Sequence, residues 1–346
     1  MEITLSEMIA GYWCIKLISQ HPYVYIEESV WRDMSSDNPI EIVGLRKEYG
    51  SFVAVDNLNL SVKRNSFTGF LGPNGAGKST TLKILTHLIN ATSGEARLNG
   101  IDVTVDPKRA LTDVGTVVET PEFYGYLTPK ETLKYVGEII GMSSEAIASE
   151  TTRILEKMKM TEWENNKIGT FSKGMRQRIA LGQALMNDPS VIILDEPTSG
   201  LDPRGMAEMR EVLKNLRNDS QNLTVLMSSH VLHEVNDLCD RIALINHGKL
   251  ILHDDVDVIS RSNGTRRLIV KLDSIPTKEN IDTIAGVDNV ISAERFGNDV
   301  DVSMKGDVEF RSRFFNDLSA LNIGVHSVHE EDSLETTYLR LIKESR

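Results

Sequence analysis

SFTGFLGPNGAGKSTTLKILTHLI, Ser66 to Ile89, is the stretch that decides the fold class. An apolar run of strand length leads into a glycine-rich turn, and the turn opens onto a segment with helical spacing of its apolar residues. The turn, Gly72 to Thr80, matches the phosphate-binding pattern GxxxxGK[ST] in the required setting, after a strand and before a helix. Gly72, Gly75 and Gly77 let backbone N–H groups converge on phosphate oxygens, with Pro73, Asn74 and Ala76 between them and Thr80 closing the motif. The helix N-terminus adds about half a positive charge. Lys78 is placed to reach the β- and γ-phosphates and Ser79 to ligate Mg²⁺. From average residue usage, a chance match in a chain this long is on the order of one in a hundred, and the strand and helix context lowers it further.

Working outward, VIILDEP (Val191 to Pro197) supplies a second half: an apolar strand ending in Asp195, suited to the Mg²⁺ shell, then Glu196, suited to orienting an attacking water. Two adjacent carboxylates alone are usually a solvated turn; behind an apolar strand and beside a phosphate loop they read as catalytic. From Pro39 onward short β-rich runs alternate with helical stretches, which predicts an α/β layer fold with central parallel strands at SFTGFLG and VIILDEP. Between these two strands, TPKETLKYVGEIIG and SEAIASETTRILEKMKM read as helices without strands, a helical subdomain inserted into the core. After Ser262 the order becomes strand, helix, strand, strand, helix, strand, that of a split βαβ, ferredoxin-like unit, with no catalytic constellation in it. The expected division is an extension over 1–38, a nucleotide-binding domain over 39–262 and a small α+β domain over 263–346. The extension is rich in aromatics, and Thr4 with Glu7 has capping-box spacing. It reads equally as a docking helix or an appendage, and every recognised nucleotide element lies after Met34.

Composition narrows the class. A formal net charge of −12 argues against a surface built to neutralise nucleic-acid phosphates. Two distant cysteines, Cys14 and Cys239, form neither a disulfide framework nor a metal spacing, which fits a reducing cytoplasm. No apolar window reaches the roughly 18 residues of a membrane span, and the first residues lack the layout of a signal peptide. A membrane role must come through a partner.

FSKGMRQR, Phe171 to Arg178, resembles the signature sequence of ATP-binding cassette (ABC) proteins, which generic phosphate-loop enzymes lack. SGLD at Ser199 to Asp202 resembles the D-loop of that family, and His230 in LMSSHVLHEV its switch histidine. Tyr49 in RKEYGSFVAVDN stands where the family places a ring against adenine. The resemblance implies an α/β P-loop (RecA-like) ABC ATPase core that binds ATP and Mg²⁺. It also implies two cassettes pairing head to tail, with Ser172 and Gly174 contacting the ATP held by the partner copy and His230 stabilising charge on the γ-phosphate. Such a subunit works at the cytoplasmic face of the membrane on a separate permease. Nucleic acid is not an expected partner.

Two departures refine the resemblance. Met175 replaces the commonest signature glutamine, and Glu119 stands where the family usually has a glutamine linking nucleotide site and permease. Glu119 is therefore expected at the Mg²⁺ or the attacking water, with a full charge in place of a neutral oxygen. The nearby Phe123, Tyr124 and Tyr126 read equally as packing or as a socket for a permease helix. ETPEFYGYLT, GMRQR and the ending SLETTYLRLIK resemble ATPase subunits of drug, bacitracin and lantibiotic exporters. The competing readings are a soluble ABC ATPase of translation or DNA repair, against which the lack of a second cassette or long insertions weighs, and a non-hydrolysing regulator, against which Lys78, Asp195, Glu196 and His230 weigh.

Overall fold

The computed structural model describes residues 37–219, 222–261, 265–305, 308–321 and 323–331, with residues 338, 341 and 342. The capping-box spacing at Thr4 and Glu7 lies outside them. The chain opens with a hairpin of β1 (Ile40–Tyr49) and β2 (Phe52–Val62). β3 (Phe67–Leu71) leads through the glycine turn into α1 (Lys78–Leu85), and β4 (Ser93–Leu98) and β5 (Ile101–Asp102) return to the hairpin in an antiparallel sheet of order β2-β1-β4-β5. After α2 (Pro107–Ala110) and β6 (Val114–Val117) come α3 (Pro129–Ile139), α4 (Ser144–Lys157) and α5 (Lys173–Ala184) with no strand between them, the helical insertion that the sequence pattern predicts. β7 (Val191–Asp195), α6 (Pro203–Asp219), β8 (Thr224–Ser229), α7 (Leu232–Leu238), β9 (Arg241–Asn246) and β10 (Lys249–Asp255) then complete a second sheet, order β10-β9-β3-β8-β7-β6.

In that second sheet every pairing but β9 with β10 is parallel. Parallel strands need cover on both faces, and β3 and β8 are buried at every residue. The register aligns their carboxyl ends, Leu71 opposite Ser229 and Asp195 opposite Ser228, so the segments leaving β3, β7 and β8 emerge side by side. Sites on open α/β sheets form at that edge.

α1 is shorter than its sequence suggests. The apolar spacing continues to Ile89, yet the helix stops at Leu85 because His87 takes a left-handed φ of 55°, Leu88 N–H bonds to Lys83 C=O at 2.8 Å and His87 N–H to Ile84 C=O at 3.0 Å. This is a Schellman closure with histidine where glycine is usual, which leaves no glycine in the sequence to mark it. By contrast α3 starts where its signals say, with Pro129 in the first turn and a reciprocal capping box between Thr128 and Glu131.

Beyond α8 (Val256–Arg261), β11 (Thr265–Leu272), α9 (Lys278–Ala285), β12 (Val290–Phe296), β13 (Asp299–Lys305), α10 (Val308–Ala320) and β14 (Val325–Glu331) make a third sheet, antiparallel throughout and ordered β12-β13-β11-β14. That is the strand order of a split βαβ. Its core is its own, with Val270, Ile284, Val300, Val302 and Phe314 fully buried. Tyr338, Leu341 and Ile342 pack elsewhere, against the core of the six-stranded sheet, where Tyr338 and Leu341 line a crevice with Leu71, Leu232 and Leu244.

Candidate functional site

Only glycine fits the turn after β3. A Cβ on Gly77, whose φ is 107°, would stand 2.6 Å from Ala54 O, and one on Gly72 would stand 2.3 Å from Ile245 O. The turn ends on Lys78, almost wholly buried, whose ammonium donates to Gly72 C=O at 2.8 Å and Pro73 C=O at 3.2 Å. Burial lowers the Lys78 pKa from its ordinary value, against the opposing pull of Glu196 and Asp195. One residue on, Ser79 Oγ donates to Asp195 Oδ1 at 3.2 Å.

The end of β7 is pinned by β8. Ser228 Oγ donates to Asp195 Oδ1 at 2.6 Å and accepts from Glu196 N–H at 2.9 Å. Glu196 then turns out of the strand at a left-handed φ of 45°, a conformation that costs energy for a residue with a Cβ. Its carboxylate falls between two nitrogens, 3.2 Å from His230 Nδ1 and 3.6 Å from Lys78 Nζ. Beneath these lies a buried carboxylate, Glu234, which accepts from Thr198 Oγ1 at 2.8 Å and Ser229 Oγ at 3.1 Å and faces Arg210 at 3.3 Å. Glu234 thus ties the turn after Glu196 to the turn carrying His230.

Ser79 Oγ and Asp195 Oδ1 are hard oxygens in mutual contact beside the turn. They fit Mg²⁺, which takes one or two protein oxygens and completes its shell with phosphate and water. Among the described residues no group of three or more His, Cys, Asp or Glu could hold a metal ion.

Residues 55–199 match the sequence profile of the family described as ABC transporter. The bacitracin transport ATP-binding protein BcrA of Bacillus licheniformis is 39% identical over 224 residues, covering 65% of this chain and 72% of that one. The chain belongs to the ABC transporter ATP-binding proteins. The lantibiotic transport ATP-binding protein SrtF of Streptococcus pyogenes is 36% identical over 63% of this chain and 91% of its own length. Among solved structures, a dimeric bacterial ABC transporter cassette superposes with a TM-score of 0.56 at 26% identity, over 62% of this chain and 98% of that one.

Within this cassette, the structure brings Lys78, Ser79, Asp195, Glu196 and His230 together and leaves the signature apart. Ser172 caps α5 by accepting from Met175 N–H at 3.2 Å, and Gly174 is packed so closely on Gly205 that a Cβ would meet its Cα at 3.2 Å. Lys173 reaches Ser199 C=O at 2.9 Å, fixing the start of α5 to the SGLD turn. Tyr49 ends β1 opposite Phe52, half exposed, with the Lys47 ammonium 5.0 Å from its ring centroid. Glu119 follows β6 at a left-handed φ of 72°, and its carboxylate is held by Lys83 of α1. The aromatic run divides: Phe123 packs against the core, whereas Tyr124 and Tyr126 are exposed and cluster with Tyr135.

Ser228, Glu234 and Lys83 are functional neighbours that the sequence reading does not single out. Lys83 had a signal, since position i+4 from Ser79 puts both on one helix face. Ser228 and Glu234 had none stronger than a polar residue in a strand and an acidic residue in a first helical turn.

Proposed function

We propose that the chain is the ATP-hydrolysing subunit of an exporter, driving a separate membrane permease as one of a pair of cassettes. The observation that carries this reading is the convergence of Lys78, Asp195, Glu196 and His230 at the carboxyl ends of β3, β7 and β8. Backbone N–H groups of Gly72 to Thr80 take the phosphates, and Lys78 exchanges its loop carbonyls for phosphate oxygens. Ser79 and Asp195 would hold Mg²⁺, with Glu119 assigned to its shell or to the attacking water by the family resemblance; bound Mg²⁺ would supply charge neutralisation on the phosphates. Glu196 takes a proton from the water that attacks the γ-phosphorus, and ADP leaves with the bridging oxygen. His230 orients that carboxylate and meets charge on the γ-phosphate. Tyr49 stacks on adenine with the ring face not covered by Lys47.

Ser172 is exposed at the start of α5 and Gly174 is buried against Gly205; the family resemblance assigns both to the nucleotide of a second copy, and dimeric cassettes are known among the similar structures. A cleft of about 310 Å³ beside Phe123, Gly125 and Arg176 is our candidate seat for the permease, at the membrane's cytoplasmic face. No helix among the described residues is long and apolar enough to cross a membrane. Residues 39–262 form the ATPase unit in this reading and 263–346 an accessory unit. The transport names of these relatives favour it over the translation or repair alternative.

The test is the purified chain's Mg²⁺-dependent ATP hydrolysis, with and without nucleic acid, and the identity of the membrane protein that copurifies. Hydrolysis indifferent to nucleic acid, with an integral membrane partner, is the expected result. Stimulation by nucleic acid without such a partner defeats the transport reading.

A further inference from the structure

Lys83 lies one helical turn beyond Ser79 on the same face of α1, and it pairs with the carboxylate of Glu119. The two come from different elements, the phosphate-loop helix and the loop after β6. Lys83 is also firmly based: its carbonyl accepts from Leu88 N–H at 2.8 Å and Ile89 N–H at 3.3 Å in the closure of α1. Glu119 raises the lysine's pKa most, against a burial cost and with a smaller contribution from Asp195, so the pairing favours the charged ammonium. An ion pair this exposed contributes little to folding, so its charge matters more for what binds beside it than for stability.

We propose that Lys83 is a positioning residue that holds Glu119 and cancels its charge, allowing a carboxylate to stand beside the phosphate loop without repelling the triphosphate. This rests on the nucleotide-site reading above. A glutamine at position 119 would need no such partner; a glutamate left alone would add one negative charge next to a ligand already carrying several. The lysine also gives the loop after β6 a defined resting contact on the helix that carries Ser79, from which Glu119 can move when the nucleotide changes.

The experiment is equilibrium binding of a fluorescent ATP analogue (mant-ATP) to the full chain in EDTA, where no metal intervenes. Lys83→Met is expected to weaken binding about three- to tenfold at low ionic strength, with the loss shrinking as salt is added. Lys83→Arg, which keeps the charge, should stay within about twofold of the parent. The decisive comparison is the Glu119→Gln background, where adding Lys83→Met should change affinity by less than about twofold, because there is no longer a charge to cancel. An equal loss in both backgrounds, no loss in either, or an arginine variant as weak as the methionine variant overturns the proposal. A parent chain that binds no mant-ATP at all instead defeats the nucleotide reading itself.

Discussion

At the end of β7, Asp195 and Glu196 are held by groups built into the sheet: Ser228 from the neighbouring strand, Ser79 from the phosphate-loop helix, and Glu234 bracing the turns from below. In the loop after β6, Glu119 is more than half exposed and rests on Lys83. One group touches Lys78 and Ser79 of the phosphate loop and the other the helix that follows it, and one is anchored by partly buried hydrogen bonds and the other by a solvent-screened ion pair. Chemistry at a phosphorus needs atoms fixed in place, whereas a group that reports whether nucleotide is present must be able to change partners. Under the proposed function the anchoring follows that division of labour.

The comparison breaks first at Glu196. Glu196→Gln should still bind ATP but hydrolyse it at least about a hundredfold more slowly, and should elute as an ATP-dependent dimer on size exclusion. Wild-type turnover in that variant would mean the anchored carboxylate is not the base. The brace beneath it is tested by Glu234→Ala, which leaves Thr198 and Arg210 without this partner and Ser229 with only Val231. Thermal or denaturant unfolding should show a loss of about 2–4 kcal/mol, with Glu234→Gln losing less.

Those two variants also mark what the sequence could and could not disclose. The glycine turn, the apolar strand before Asp195 and the signature segment are local patterns, legible because backbone conformation and periodicity are written in consecutive residues. Glu234 is not legible, because its importance lies in hydroxyls of Thr198 and Ser229 brought to it by the fold. Glu119 was legible as a departure from a family pattern, and Lys83 as a neighbour of Ser79 on one helix face, but their pairing was not, since it depends on where β6 delivers the following loop. The end of α1 misled for a different reason: a left-handed histidine did the work usually signalled by glycine.

A smaller effect is expected at the adenine end. Tyr49→Ala should weaken ATP binding by about tenfold, as for loss of a base-stacking ring, while Tyr49→Trp should bind nearly as the parent does. Equal affinity for all three proteins in a mant-ATP titration would remove the stacking role. The smallest effect sharpens the contrast between the two acidic regions: Glu119→Gln should alter unfolding free energy by less than about 1 kcal/mol, in the same assay where Glu234→Ala is severe. A loss at Glu119 as large as that at Glu234 would show the loop to be anchored after all.

The seating of Tyr338 and Leu341 beside Leu71 and Leu232 bears on the order in which the protein can be made. Leu71 is laid down early, at the end of β3, but part of its covering is synthesised only after the whole β11–β14 unit. While the chain is growing, that strip of the cassette faces water, and closing it requires one of the longest-range contacts in the molecule. Nascent cassettes therefore expose a hydrophobic seam until late in synthesis, and a chain stopped before Tyr338 should bind a dye such as ANS where the longer chain does not.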